Sequence, residues 1–207
     1  MTRLDIFADP VCPWCLIGKL ELDRALESRP DHDFQIAWHP FRLNPQLPAY
    51  GADRIEHLRA ALGERAEEAS RMVARRAAEL GLVINPSPRE PNTLNAHRLM
   101  HWAGLEGVQT RVMSGLMRAH WQEAQDIGSP EVLARIAAGA GMDEAVTLRL
   151  LASDADRAEV LTREQHARER GISSVPTFIV ADAHAVTGAQ PASLWQQVID
   201  EISAARG

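Results

Sequence analysis

The order of hydrophobic patterns predicts an α/β protein with a large all-helical insertion. Three observations lead there. Strand, helix and strand periodicities follow one another within the first fifty residues, positions 51–170 show helix spacing almost throughout, and strand periodicity returns after Gly171 before one last helix.

The first strand is Leu4-Asp5-Ile6-Phe7, with apolar positions at 4 and 6 and the breaker Asp9-Pro10 behind it. From Pro13 onward, Leu16, Ile17, Leu20, Leu22, Ala25 and Leu26 lie among Lys19, Glu21, Asp23 and Arg24, a helical pattern that stops before Pro30. Phe34, Ile36 and Trp38 then alternate with Gln35, Ala37 and His39, as in a strand with one buried face. The proline-rich tract 40–48 continues neither element and reads as a connection, which puts a boundary near residue 50. On this reading residues 1–49 and 171–207 form one domain and residues 50–170 a helical insertion.

Inside the insertion, Ile55/Leu58/Leu62, Met72/Val73/Ala77/Leu80, Val112/Met113/Leu116/Met117 and Val132/Leu133/Ile136/Ala140 all repeat at helix spacing. Pro86-Ser87-Pro88 interrupts the run, Asn92 is placed to cap the next helix, and Ser129-Pro130 is an N-cap and first-turn pair, so six or seven helices are expected. No fixed repeat period is evident. After Gly171, Thr177-Phe178-Ile179-Val180 and Ala185-Val186 suggest a hairpin turning at Asp182 to His184, and Leu194, Trp195, Val198, Ile199 and Ile202 form the apolar face of a closing helix.

Composition narrows the function. With 22 Lys and Arg against 28 Asp and Glu, the net charge of −6 repels a phosphate backbone, so nucleic acid is not an expected partner. Lys19 is the only lysine, which leaves little room for Schiff-base chemistry or for a phosphate-cradling Gly-x-x-x-x-Gly-Lys-Ser/Thr loop, and that motif is not present. The N-terminal sequence has no apolar run of signal-peptide length and nothing later approaches a membrane span, so a soluble cytoplasmic protein without membrane partners is expected.

The two cysteines carry the chemistry. A loop closed between Cys12 and Cys15 removes little chain entropy, so a structural staple is the weaker reading and a redox or metal role the stronger. Thiols react as thiolates, and the first turn of a helix offers unpaired N–H groups and a positive dipole end where Cys12 stands. Pro13 suits the first helical position, and Cys15 one turn on can attack a mixed disulfide at Cys12. Zinc would need further ligands. His97 and His101 have i,i+4 spacing but lie far along in the insertion without the glutamate of a zincin motif, so no metal is assigned. The second feature is Val175-Pro176 ahead of the strand Thr177 to Val180, where a proline opening a strand is by itself unremarkable.

Together these features resemble the DsbA family of thiol–disulfide oxidoreductases, and within it the cytoplasmic FrnE-like group. The motifs are Asp9-Pro10-Val11-Cys12-Pro13-Trp14-Cys15, Phe41-Arg42-Leu43-Asn44-Pro45, Asn92-Thr93-Leu94-Asn95-Ala96-His97-Arg98, Val175-Pro176 and Gly188-Ala189-Gln190-Pro191, which span nearly the whole chain. The resemblance implies a thioredoxin fold interrupted by a helical domain. It also implies Cys12, Cys15 and Pro176 as active residues, a cis-proline loop at Val175-Pro176, and substrate contacts at Pro13, Trp14 and Val175. No cofactor is implied beyond the redox-active disulfide, with glutathione as a candidate thiol partner. Partners would be protein or small-molecule thiols and disulfides, and a homodimer is compatible.

Two other readings remain open. Glutathione-dependent isomerases resembling 2-hydroxychromene-2-carboxylate isomerase, and the related transferases, share the scaffold but typically carry serine where Cys12 stands. A non-catalytic peptide-binding chaperone module is the other. His39, next to Trp38 on an alternating strand, reads as solvent-facing rather than as a proton shuttle. Met100, Trp102, Met113, Met117 and Trp121 read as core rather than as a groove.

Overall fold

A computed structural model describes residues 1–205. Strand β1 (Thr2–Ala8) leads into helix α1 (Pro13–Ser28) and strand β2 (Phe34–Pro40), while β5 (Thr177–Val180), β6 (His184–Thr187) and α9 (Ala192–Ala204) close the chain. The sheet runs in the order β2-β1-β5-β6, with β1 and β2 parallel and the other two pairings antiparallel.

Register decides what each face of the sheet carries. Leu4 sits opposite Ile36 and Val180, and Ile6 opposite Trp38 and Phe178, so the centre of one face is apolar. Phe178 meets Trp195 of α9 edge-on, with ring centroids 4.6 Å apart, and α9 packs along α1 on this side. Glu21 of α1 is buried there, accepting from the Ala192 N–H at 2.9 Å and pairing with Arg76. The opposite face carries Asp5, Phe7 and His39.

Between β2 and β5 lie α2 (Arg54–Leu62), a short 3₁₀ turn, α3 (Ala66–Glu79), α4 (Leu94–Leu105), α5 (Gln109–Trp121), α6 (Pro130–Gly139), α7 (Glu144–Leu151) and α8 (Arg157–Glu169). Asp53, Ser129 and Asp143 cap α2, α6 and α7 by accepting a backbone N–H. Asn92 acts from one residue further out, since Thr93 is the N-cap of α4 and the Asn92 side chain accepts from the Leu94 N–H. One feature departs from a purely helical insertion. Residues β3 (Ala52–Asp53) and β4 (Arg89–Glu90) form a two-residue ladder, made accessible by Gly51, whose left-handed backbone passes so close to the Glu90 carbonyl that a Cβ would collide with it. The hairpin turn also falls one residue earlier than expected, at 181–183, with His184 already in β6.

The insertion packs into the same core as the sheet: Leu99, Met100, Trp102, Val112, Met113, Leu116 and Met117 join Leu4, Ile6 and Trp38 in one cluster. Two polar devices fasten it. Gln109 closes the outer edge of β2, its amide accepting from the Trp38 N–H at 2.9 Å and donating to the Trp38 carbonyl at 3.1 Å, as a neighbouring strand would. Arg98, 2% exposed, donates to the carbonyls of Leu150, Ser153 and Ala155 at 2.8 Å each and to that of Leu151 at 3.4 Å, which satisfies the end of α7 and the turn after it. Among the described residues no helix is long and apolar enough to cross a membrane.

Candidate active site

The loop between β1 and α1 is fixed from three directions. Trp121 of α5 donates its indole N–H to the Pro10 carbonyl at 3.0 Å, and Asp9 accepts the Leu43 N–H at 2.8 Å and the Thr93 hydroxyl at 3.3 Å through Oδ2. The Asp9 carbonyl takes the Cys12 N–H at 2.9 Å, turning the chain into the helix. Cys12 is thereby the N-cap of α1, with extended backbone, and Pro13 holds the first helical position.

At that N-cap the Cys12 sulfur plays the part usually taken by a serine or aspartate side chain. Its Sγ accepts the Cys15 N–H at 3.4 Å, one of the orphan donors of the first turn. Both cysteines are buried and unbridged. Burial pushes the Cys15 thiol well up, and the neighbouring Cys12 adds to that. The two sulfurs therefore differ in kind: Cys12 is the helix cap at the loop, and Cys15 a protonated thiol behind it.

The third strand supplies the facing wall. Because β5 pairs with β1 as far as Thr177 opposite Phe7, Pro176 and Val175 continue beside the end of β1 and reach the dithiol. The Val175–Pro176 peptide is cis, and the Val175 carbonyl lies 3.6 Å from Cys12 Sγ. The Pro176 carbonyl accepts the Gly188 N–H at 2.8 Å. Gly18 of α1 sits under the same ring, where a Cβ would come 3.1 Å from Pro176 Cγ. Pro13 and Trp14 line an apolar groove of about 620 Å³ together with Ile55, Leu58, Met72, Ile84 and Trp121. Trp14 is 38% exposed at its margin.

This sheet, with a helix capped by a cysteine and a second cysteine one turn on, matches a family model of DSBA-like thioredoxin domains over residues 3–200. The chain belongs to that family. A probable DsbA oxidoreductase from Streptomyces coelicolor is 28% identical, with a TM-score of 0.87 over 97% of this chain and 89% of its own. The uncharacterized protein YwbO of Bacillus subtilis is 26% identical, with 96% of each chain covered. The fold alone is shared with 2-hydroxychromene-2-carboxylate isomerase (15% identity, TM-score 0.74, 99% and 97% covered) and with the cytosolic disulfide reductase DsbM from Pseudomonas aeruginosa with GSH (18%, 0.69, 98% and 99%). The DSBA-like domain of this chain is thus a thioredoxin fold with a helical insertion.

In this DSBA-like domain all six sequence-nominated residues, Cys12, Pro13, Trp14, Cys15, Val175 and Pro176, stand at the α1 start or in the segment that leads into β5. His39 is different from its expectation: it is not solvent-facing. Its Nε2 lies 2.5 Å from Asp5 Oδ1, its ring stacks on Phe7, and Arg163 of α8 donates to its Nδ1 at 3.3 Å. An Nδ1 that accepts from arginine must be unprotonated, so the neutral tautomer carries its hydrogen on Nε2, toward Asp5. Burial accordingly lowers its pKa in spite of Asp5. Among the described residues there is no group of three or more His, Cys, Asp or Glu suited to a metal ion.

Sequence reading missed the polar groups behind the dithiol. Asp9 registered as a strand breaker and His97 as a candidate ligand, and both as members of resemblance motifs without a role of their own, yet both are buried, and their Oδ1 and Nε2 atoms face each other at 3.6 Å without other partners. Nearby, Glu90 pairs with Arg54 at 2.9 Å and accepts from Asn44 at 3.0 Å, and burial raises its carboxyl to about 7. No local pattern marks these groups.

Proposed function

We propose that the protein catalyses thiol–disulfide exchange through its Cys12-Pro13-Trp14-Cys15 dithiol, with Cys12 attacking and Cys15 resolving. The single observation that carries this reading is the position of Cys12 Sγ, which caps a helix through the Cys15 N–H while facing the Val175 carbonyl. A Cys12 thiolate attacks one sulfur of a substrate disulfide and expels the other as a thiolate; Cys15 then attacks Cys12, frees the remaining substrate sulfur and leaves the protein oxidised. Net flow can run either way.

Val175 and Pro176 form the edge against which a substrate backbone lies, and Pro13 and Trp14 guide an apolar group toward the groove. A small thiol such as glutathione is a fitting partner, in keeping with DsbM from Pseudomonas aeruginosa, which is described with GSH. In a reducing cytoplasm, the expected location, reductase or isomerase action is favoured because the thiol poise keeps most dithiols reduced. Insulin-reduction turbidity with dithiothreitol tests the proposal: the wild-type protein accelerates precipitation and Cys12→Ser does not. Equal rates for both would overturn it.

A further inference from the structure

The sheet face that carries Asp5, Phe7 and His39 looks toward α8, and the two do not close on each other completely. Between them lies a cavity of about 230 Å³, lined from β1 by Arg3 and Asp5, from β2 by His39, and from α8 by Arg163, His166 and Arg170. The three α8 residues follow at spacings of three and four, so they share one helix face, and the small, buried Ala167 among them leaves the space open. The volume is small for a drug-sized molecule and ample for an ion.

Charges around this cavity are unevenly matched. Arg3 pairs with Asp5 at 2.8 Å and also feels the charge of Asp182, the other acid of the cavity, so both negative groups act at its end. Arg163 has no such partner. Partly buried in the middle of α8, it donates to His39 Nδ1 at 3.3 Å and to His101 Nδ1 at 3.2 Å, two rings that accept hydrogen bonds only while they are neutral there. Its remaining N–H groups, and the side chains of His166 and Arg170, have no hydrogen-bond or ion-pair partner among the described residues. Glu164 and Glu169 of the same helix turn instead to Arg42, Arg168 and Gln165, and Glu159, one turn before Arg163, makes no ion pair with it. A cation near a helix C-terminus answers the helix dipole, which accounts for Arg170. Arg163 lies too far from that end for the same account.

We propose that this cavity is a binding site for a small oxyanion of the sulfate or phosphate class, held by Arg163 and Arg170 with His39 and His166 alongside. Such an ion offers the acceptors that the spare guanidinium donors lack and the negative charge that neutral imidazoles cannot supply. The site opens on the sheet face opposite α1, and it stands independently of the exchange reading.

Binding is linked to the charge of His39. Around that ring stand Arg3 and Asp5 on β1, His97 and His101 on α4, Arg163 and His166 on α8, and Asp182 after β5. Burial lowers the His39 pKa, Asp5 opposes this, and Arg163 and Arg3 add to it. An anion in the cavity offsets the two arginines and raises that pKa, so affinity grows as pH falls and His39 takes up its proton. Protonation at Nδ1 also returns one Arg163 donor to the cavity.

Sulfate is the probe, because its charge is constant near neutral and mildly acid pH. The full-length protein is titrated with it at constant ionic strength while the His39 ring resonances are followed. Saturable shifts are expected, with binding about 5-fold or more tighter near pH 5 than near pH 7.5 and the His39 titration moved to higher pH. Arg163→Gln and, independently, Arg170→Gln should each weaken binding by about 5- to 10-fold, and Arg163→Lys should keep part of it. Arg135→Gln on α6, outside the cavity, should change it by less than about 2-fold. Because Arg170 is exposed, its variant keeps the test decisive even if Arg163→Gln disturbs folding. Shifts that never saturate, affinity equal in all these variants, or a His39 titration indifferent to sulfate would each overturn the proposal.

Discussion

Cys12 Sγ lies 3.6 Å from the carbonyl oxygen of Val175, a residue 163 positions further along the chain, with the Cys15 N–H on its other side at 3.4 Å. The contact joins the start of α1 to the segment that opens β5, so the sulfur proposed to attack stands beside that segment's backbone.

From this asymmetry follows a division of labour. Cys15→Ser should accumulate a covalent complex with a disulfide-bearing substrate protein through Cys12, because nothing remains to resolve it. Cys12→Ser should trap little, since Cys15 is buried and its thiol is held protonated. Non-reducing gels with and without dithiothreitol read the difference, and equal trapping would reverse the assigned roles.

Gly18 should be intolerant of branching. A Cβ there would lie 3.1 Å from Pro176 Cγ and 3.4 Å from Phe178 Cζ, and the methyls of valine would enter space that is already filled. Gly18→Val is expected to destabilise by about 1–3 kcal/mol, as overpacking does, and to slow exchange by displacing Pro176 from Cys12. Urea denaturation with an exchange assay checks both. Unchanged stability would mean that the loop yields freely.

Acid sensitivity should trace partly to His120. It is wholly buried, neither ring nitrogen is bonded, and burial followed by the charge of Arg54 lowers its pKa to about 3. Below about 6.5 the unfolded chain takes up a proton at this position that the folded protein refuses, so stability present above that pH declines as pH falls toward 3. His120→Leu should flatten this decline by on the order of several kcal/mol at its acid end while changing stability little at neutral pH. Urea midpoints against pH would reveal it, and parallel curves would contradict it.

Arg98 should be among the costliest single truncations. Removing its guanidinium takes the side-chain donor from the Leu151, Ser153 and Ala155 carbonyls and one of several donors from that of Leu150, and it also leaves the face of Trp102, over which Arg98 stacks at 5.1 Å. Arg98→Met should cost about 3–5 kcal/mol, and Arg98→Lys should recover only part of that because one ammonium cannot reach four acceptors. Thermal unfolding followed by tryptophan fluorescence measures it.

What the sequence by itself determined was everything carried by neighbours along the chain. The alternation of Phe34, Ile36 and Trp38 determined a strand, the spacing after Pro13 a helix, and the place of Cys12 ahead of Pro13 its position at the helix start. Val175-Pro176 before a β run was legible for the same reason. Only the tertiary structure decided that Gln109 substitutes for a strand at the edge of β2, that His39 is held between Asp5 and Arg163, and that Asp9 meets His97 beneath the dithiol. Periodicity and capping are short-range consequences of backbone geometry, whereas these partners lie roughly 34 to 124 residues apart in sequence, within the reach of a hydrogen bond or ion pair only after the core has packed.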